Sequence, residues 1–438
     1  MGEDVPVTAQ GAPAPPPEDP AAVDTSRTGI SVQGTAIVGA GLLVSQIIAM
    51  AQMLVVSRLL GPEQFGVFGA LAVILLLGST TMAATQVVLA RHVASGGSSQ
   101  HVGARLVLAV GACTSAITLA ASPFIARALN LDDAFALVMV ALTFVPFTIT
   151  GAQLGLLQGA ERHKRLAVLY ALSTGARVTG AIIAAAIART ADAALLGLAL
   201  GAVVGAAAGQ FLLVGQPSWG GQEEKARGFL AEVFHAAHAL IALYALTNLD
   251  VLLARARLSP YEAGLYAAGA LVARAVFFLP TAVLVAAFPR MVAGARNAQR
   301  QAVIAVAVLG LVASLVIAAA PTLVVQIVAG PEFLAVAPDV WVFAVAGAGF
   351  GVVQVLLYAR MAHHDRRAAL LLWGGVGLLL ALGITLGTSI HALALCAAGT
   401  AWAVALGGLA WAGRSRVRTR AIRPSPDAAG EPIPAPWE

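Results

Sequence analysis

The stretch LGPEQFGVFGA at residues 60–70 recurs as LSPYEAGLYAA at residues 258–268, which lies 198 residues further along the chain. The matched positions pair Pro62 with Pro260, Gly66 with Gly264 and Phe68 with Tyr266. In each copy a long apolar segment ends just before the motif, and another begins inside it. The repeat therefore predicts two similar halves that run in the same direction, a design common among membrane carriers.

The composition indicates a membrane protein. The chain has 438 residues, of which 59% are hydrophobic and 11% are charged, and its mean hydropathy is +0.86. About 20 apolar residues cross a bilayer as a helix. The segments of this length are 30–57, 64–90, 103–125, 134–157, 166–188, 193–215, 229–254, 263–288, 302–328, 338–360, 368–388 and 390–412. Because these runs are continuous rather than alternating, they exclude a transmembrane β-barrel. We predict an all-α integral membrane protein with about 12 transmembrane helices.

The order of these segments predicts the domain organisation. Two six-helix bundles, at 29–215 and 229–413, are joined by a linker at 216–228. A tail at 1–28 is rich in Pro and Ala, and a second tail at 414–438 opens with a basic run and ends in Pro-rich sequence. Both tails are expected to lie outside the bilayer.

The distribution of basic residues predicts the orientation. Two of the 26 Lys and Arg residues, Arg177 and Arg274, fall within spans. If both tails are cytoplasmic, the basic residues on the outer side are only Arg58, Arg127, Arg189, Arg255 and Arg257. Basic residues concentrate on the cytoplasmic side of membrane proteins, so we predict cytoplasmic N- and C-termini. Abundant Ala, with Lys only at 164 and 225, is typical of a bacterial genome of high GC content and favours a bacterial plasma membrane.

Known catalytic motifs are absent from the sequence. It has no Walker A, GxSxG or HExxH motif, and no loop is long enough for a catalytic domain. The group His363-His364-Asp365 lies beside two arginines, which favours a solvated turn over a metal site. Cys113 and Cys396 lie inside predicted spans and are interpreted as apolar filling residues. We therefore predict no enzymatic activity, no cofactor, no metal and no nucleic-acid partner.

Further motifs resemble one transporter family. SRLLGPEQFGVFGAL (57–71) is similar to the RLLGPxxYGxY pattern of Wzx-type oligosaccharide flippases, which belong to the multidrug/oligosaccharidyl-lipid/polysaccharide (MOP) exporter superfamily. The other segments that resemble this family follow in order: GLLQGAERHKRLAVLYALSTGARVTG (155–180), NLDVLLARARLSPYEAGLYAAGALVARA (248–275), FPRM (288–291) and GPEFLAVAPDVWVFAVA (330–346). The resemblance covers roughly residues 30–412.

This resemblance implies a fold and a function. The expected fold is the V-shaped arrangement of MATE-like transporters, with a cavity between two six-helix bundles that opens alternately to each side. The expected function is to flip a polyprenyl-diphosphate-linked oligosaccharide across the membrane. The expected partners are the lipid-linked glycan, the phospholipid bilayer, and the glycosyltransferases and polymerase of the same pathway.

Charged side chains inside the spans are the candidate site residues, because charges in a membrane are costly. Arg177 and Arg274 lie near the centres of predicted spans five and eight. An Arg fork donates two parallel hydrogen bonds to phosphate, so one hypothesis is an anion site for the diphosphate. The other hypothesis is a structural Arg that caps carbonyl groups or pairs with a carboxylate.

Asp250 is the one carboxylate well inside a predicted span, near the outer end of span seven. It is either a proton- or sodium-binding site that couples transport, or part of a salt bridge with Arg255 or Arg257 that fixes the outer gate. The sequence favours the bridge, because both arginines lie a turn or two away. Asn248 is expected to point elsewhere on the helix.

Other functions remain as alternatives. A multidrug or metabolite antiporter of the same superfamily needs acidic cavity residues, whereas this chain offers arginines. A lipid II flippase usually has two additional spans. A membrane polysaccharide polymerase or ligase generally has a large outer loop with catalytic Arg or His, and the sequence has none. A scaffold without transport activity is the remaining alternative.

Overall fold

The computed structural model describes residues 32–94, 104–213, 226–279, 298–362 and 368–421, and in these ranges all regular structure is helical. The first half contains α1 (Val32–Ala94), α2 (Ala104–Ala128), α3 (Phe135–Gly159), α4 (His163–Ala188) and α5 (Ala191–Leu212). The second half contains α6 (Ala226–Arg257), α7 (Pro260–Phe278), α8 (Ala298–Ala319), α9 (Pro321–Val328), a 3-10 helix (Pro331–Asp339), α10 (Val340–Ala362), α11 (Ala368–Leu386) and α12 (Ile390–Ala421).

The helix α1 is broken at the first copy of the repeated motif. Gly61 has φ 70° and ψ 173°, a left-handed conformation that glycine tolerates because it lacks a Cβ. Pro62 follows and cannot donate a backbone hydrogen bond. At the matching position of the second copy, Ser259 caps α7 in a reciprocal capping box with Glu262. The boundary between two apolar segments that the sequence indicates at this motif is therefore a break in the helix.

The helices have the length and surface of membrane spans. Among the described residues, nine helices are long and apolar enough to cross a bilayer, and one of them, Val44–Ala94, contains the break at Gly61. Phe124, Ile187 and Phe211 are 70%, 81% and 79% exposed, and many other large apolar side chains are exposed as well. Such an extensive apolar surface would be strongly disfavoured in water. The chain is a multi-pass membrane protein.

Each predicted span overlaps a helix, although the end of predicted span eight, at 280–288, lies outside the described residues and the count of twelve stays a prediction. Two further differences concern detail. Predicted span nine is divided at Ala320 into α8 and α9, because Pro321 starts a new helix. The last helix continues to Ala421, so the beginning of the basic tail is helical rather than a separate segment. Most of the predicted linker at 216–228 and the group His363-His364-Asp365 lie outside the described residues.

The helix pairings repeat between the halves. In the first half, α1 packs on α3 and α4, α2 packs on α3, and α5 packs on α3 and α4. In the second half, α7 packs on α10, α6 packs on α11, α8 packs on α10, and α12 packs on α10 and α11. The helix pairings of the two halves correspond if α6 and α7 together match the broken helix α1, as the sequence repeat requires.

The halves meet through the two copies of the repeated motif. Helix α1 packs on both α6 and α7, and Gly66 lies against the backbone of Gly264. The turns at Gly61, Asn130, Arg189, Ser259 and Gly330 all lie at this end of the assembly, which we call the Gly61 end. The opposite end contains the turn between α3 and α4 and the end of α5, and we call it the His163 end.

Candidate functional site

Asp250 and Tyr266 form a buried pair between α6 and α7. The Tyr266 hydroxyl donates a hydrogen bond of 3.0 Å to Oδ2 of Asp250. Asp250 is 4% exposed, Tyr266 is fully buried, and the Tyr266 ring packs edge-on against Phe343. The second carboxylate oxygen of Asp250, Oδ1, has no hydrogen-bond partner in the described part of the chain. This buried oxygen is therefore free to take up a proton.

Arg274 lies on α7 close to this pair and is held by Asn248. Its Nε donates a hydrogen bond of 3.0 Å to Oδ1 of Asn248, whose own amide donates to Tyr244 and Thr247. The charges of Arg274 and Asp250 attract each other, although no direct ion pair joins them. Across the described ranges, the two terminal amino groups of Arg274 have no acceptor, and the side chain is partly exposed. Arg274 thus presents a free, oriented fork.

Arg177 lies in the first half, on α4, at a position that does not match Arg274 in the repeat. Its Nε donates to Ser173 O at 3.2 Å and its Nη2 donates to Thr174 Oγ1 at 3.1 Å, both on its own helix. The guanidinium stacks on the ring of Phe147, with 4.6 Å between the guanidinium carbon and the ring centroid. Within the ranges that the structure covers, Nη1 has no acceptor, and the side chain is partly exposed. The guanidinium of Arg177 is therefore oriented by its own helix α4 and by Phe147 on α3, and its Nη1 keeps no acceptor among the described residues.

The predicted salt bridge of Asp250 with Arg255 or Arg257 is wrong. Arg255 points the other way, because its Nε and Nη2 donate at 3.0 Å to the carbonyl oxygens of Leu129 and Asn130 at the end of α2. Arg257 is exposed at the end of α6. The expectation that Asn248 does not pair with Asp250 is correct for direct contact, yet both belong to one cluster through Arg274.

The contact made by Arg255 has a counterpart in the first half. The Ser57 hydroxyl donates to Ala329 O at 3.2 Å, and Nη2 of Arg58 donates to the carbonyl oxygens of Gln326 and Ile327. The end of the first part of α1 therefore binds the second half, while the end of α6 binds the first half. We call these two contacts the reciprocal brace. It closes the Gly61 end between the halves.

Sequence reasoning missed Tyr266 as the partner of Asp250 and the roles of several other residues, although the repeat carries a signal for Tyr266. At the offset of 198 residues, Asp250 matches Gln52 and Tyr266 matches Phe68. The acid and the hydroxyl that binds it are thus present only in the second half. Gln52 is buried, and its amide nitrogen has no partner among the described residues. The roles of Asn248, Ser57 and Arg58 have no comparable sequence signal.

The chemistry of these residues suits the binding of an anion and the exchange of a proton. Two arginines with free amino groups suit a phosphate, and a buried carboxylate with one free oxygen suits a proton. Among the described residues, no group of three His, Cys, Asp or Glu side chains is placed to hold a metal ion.

Comparison with known families gives one match at the sequence level. The model of the family described as "Polysaccharide biosynthesis protein" matches residues 31–294, which is more than half of the chain. No curated protein has a sequence that matches the chain significantly.

Solved structures share the fold at low sequence identity. The lipid II flippase MurJ in an inward closed conformation has a TM-score of 0.71 and 10% identity, over 86% of this chain and 87% of MurJ. An inward-facing multidrug resistance MATE family transporter of the MOP superfamily has a TM-score of 0.69 and 13% identity, over 87% of this chain and 96% of the transporter. An outward-facing MATE family transporter has a TM-score of 0.53 and 12% identity, over 89% and 97%. The chain therefore shares its fold with these transporters.

Proposed function

The chain belongs to the polysaccharide biosynthesis protein family, and we propose that it is a flippase for a polyprenyl-diphosphate-linked oligosaccharide. It would move this lipid from the inner to the outer leaflet of a bacterial plasma membrane, for the synthesis of a cell-surface polysaccharide. Translocation breaks no covalent bond, which accords with the absence of catalytic motifs from the sequence. The glycosyltransferases and the polymerase of the pathway would act before and after it.

The observation that carries this proposal is the pair of arginines, one in each half. Arg177 and Arg274 are partly exposed, are oriented by neighbouring side chains, and keep amino groups without an acceptor among the described residues. A diphosphate that leaves water needs a positive partner, because an unpaired anion in a medium of low dielectric costs several kcal/mol at least. The two arginines would supply that partner from the two halves of the cavity.

Alternating access would proceed by rocking of two six-helix bundles, at about 29–215 and 229–413. The repeated helix pairings support this division. The reciprocal brace closes the Gly61 end, which would be the outer side if the basic residues concentrate in the cytoplasm. The TM-score is higher with the inward-facing MATE family transporter than with the outward-facing one, which accords with an arrangement closed to the outside.

Asp250 would balance the charge of Arg274 while no substrate is bound. Once a diphosphate engages Arg274, the carboxylate loses that compensation inside a buried site, and uptake of a proton at Oδ1 would restore neutrality. Coupling of transport to protons would follow from this exchange. Tyr266 orients the carboxylate through its other oxygen.

The antiporter alternative receives less support from the site. Organic cations that multidrug transporters export require negative charge, whereas the candidate groups here are two arginines and one acid that is already near Arg274. The structural similarity to MATE transporters concerns the fold, at 13% identity or below for the two compared here.

The test is the substitution of Arg274 in a strain whose surface glycan depends on this protein. Arg274→Ala should abolish export while the protein still inserts at normal levels, and Arg274→Lys should retain part of the export because the charge survives but the fork is lost. Arg127→Ala is the matched control, since Arg127 is exposed at the end of α2. Surface glycan is measured per inserted protein molecule. Normal export per molecule in Arg274→Ala would overturn the proposal.

A further inference from the structure

Three neutral polar side chains meet on the first half, away from the arginine cluster of the second half. Nε2 of Gln86 on α1 donates to Oε1 of Gln158 on α3 at 2.7 Å, and also to the hydroxyl of Tyr170 on α4. Three different helices thus contribute one polar side chain each. We call this group the Gln-Tyr cluster.

The cluster keeps hydrogen-bonding atoms that its own contacts do not use. Tyr170 accepts from Gln86, so its own O–H proton remains; Gln86 keeps its carbonyl oxygen, and Gln158 keeps its amide nitrogen. None of these three has a partner among the described residues. Gln86 and Tyr170 are partly exposed and Gln158 is exposed.

Free polar groups on a membrane helix indicate contact with water or a ligand rather than with lipid tails. Lipid offers no hydrogen bonds, and each unsatisfied polar group in hydrocarbon costs several kcal/mol. Gln86 lies two turns before the end of α1, and Tyr170 lies about two turns inside α4. Gln153 in the same half differs because it is fully buried: its amide donates to Ala206 O, and its Oε1, which has no partner among the described residues, is not open to a ligand.

The cluster is aligned with Arg177. Tyr170 and Arg177 are seven residues apart on α4, so they share one face of the helix and are separated by about 10 Å along its axis. Ser173 and Thr174, which bind Arg177, lie between them on that face. The buried aromatic ring of Phe147 packs against the guanidinium of Arg177. One face of α4 thus carries a cation at one end and the neutral donors and acceptors of the cluster at the other, with the buried Ser173 and Thr174 between them.

We propose that Gln86, Gln158 and Tyr170 form a sugar-hydroxyl subsite that binds the first sugar of the substrate while Arg177 binds its diphosphate. This inference rests on the proposed function. Each sugar hydroxyl both donates and accepts a hydrogen bond, and the cluster presents one hydroxyl donor, one amide donor and one carbonyl acceptor. An open site lined with such groups rewards a ligand that pairs them and penalises one that leaves them unpaired. The subsite therefore gives the protein a preference for a glycosylated carrier over the bare diphosphate.

The experiment uses the purified full-length protein in lipid nanodiscs and two probes. One probe is undecaprenyl diphosphate, and the other is the same carrier linked to N-acetylglucosamine. The wild-type protein should bind the sugar-linked probe more tightly. Gln86→Ala and Tyr170→Phe should each weaken binding of that probe by about fivefold and leave the affinity for the bare diphosphate unchanged. Arg177→Ala should weaken binding of both probes by the same factor.

The controls separate this subsite from a purely structural contact. Gln210→Ala removes an exposed amide near the His163 end of α5 and should change neither affinity. If a substitution at Gln86 or Tyr170 lowers the yield of folded protein, the same binding measurements are made with Gln158→Ala. Gln158 is exposed, so its truncation should disturb the packing less. Equal wild-type affinity for the two probes, or variants that weaken both alike, would overturn the subsite and leave the flippase proposal intact. Failure of the wild-type protein to bind either probe would count against both.

Discussion

Gly66 of α1 lies so close to Gly264 of α7 that a methyl group on Gly66 would come within 2.9 Å of the Gly264 backbone nitrogen. A methyl group on Gly264 would overlap the carbonyl oxygen of Pro62. The two glycines occupy the same position in the two copies of the repeat, so each copy is the packing surface of the other. The repeat is therefore an interface between the halves as well as a turn.

This contact predicts a specific cost for a single added carbon. Gly264→Ala should destabilise the protein by about 1–3 kcal/mol, because the Pro62 carbonyl belongs to the backbone and cannot move aside easily. The melting temperature of the purified protein in detergent is the measurement. Gly377→Ala on α11 is the matched control, since a Cβ there meets nothing within 4 Å. Equal melting temperatures of the two variants would contradict the tight contact.

The reciprocal brace predicts that a covalent bond across the Gly61 end stops transport. Ser57→Cys and Ala329→Cys are introduced together in a protein that carries Cys113→Ala and Cys396→Ala, because Ser57 Oγ lies 3.2 Å from Ala329 O. Oxidation should form the disulfide and abolish glycan export, and a reducing agent should restore export. Each single-cysteine variant serves as a control. Export at the normal rate by fully cross-linked protein would show that this end does not open.

The cluster of Asp250 and Arg274 predicts energetic coupling between the two residues. Asp250→Asn and Arg274→Gln should each lower stability, because each leaves a charge in the membrane without its compensation. The double variant should be less destabilised than the sum of the two single effects, by about 1 kcal/mol. Thermal or denaturant unfolding of the four proteins measures this difference. Strict additivity would show that the two charges do not compensate each other.

The distribution of basic residues predicts which turns face outward. Thr388 lies in the exposed turn before α12, and Lys164 is exposed at the start of α4. In a protein without native cysteines, a membrane-impermeant maleimide should label Thr388→Cys on intact cells. It should label Lys164→Cys only after the cells are opened. The opposite pattern would reverse the predicted orientation.

The positions of the helices were predictable because hydropathy and helix-breaking residues act locally. A long apolar run becomes a helix in a membrane wherever it occurs, since the backbone must satisfy its own hydrogen bonds. The Gly61–Pro62 pair interrupts α1 for a reason contained in those two residues, namely the positive φ that Gly allows and the missing N–H of Pro. The repeat further predicted two similar halves, and these halves share one pattern of helix pairing.

The partners of the charged side chains were decided by the tertiary structure alone. Closeness along the chain favoured a bridge of Asp250 with Arg255, yet the α6 backbone turns the two side chains to different neighbours. Arg255 finds its acceptors at Leu129 and Asn130, which are more than a hundred residues away in sequence. Asp250 instead binds Tyr266, which only the packing of α7 against α6 brings near. Hydropathy determines which segments enter the membrane, whereas the selection of one polar partner requires the three-dimensional contact between helices.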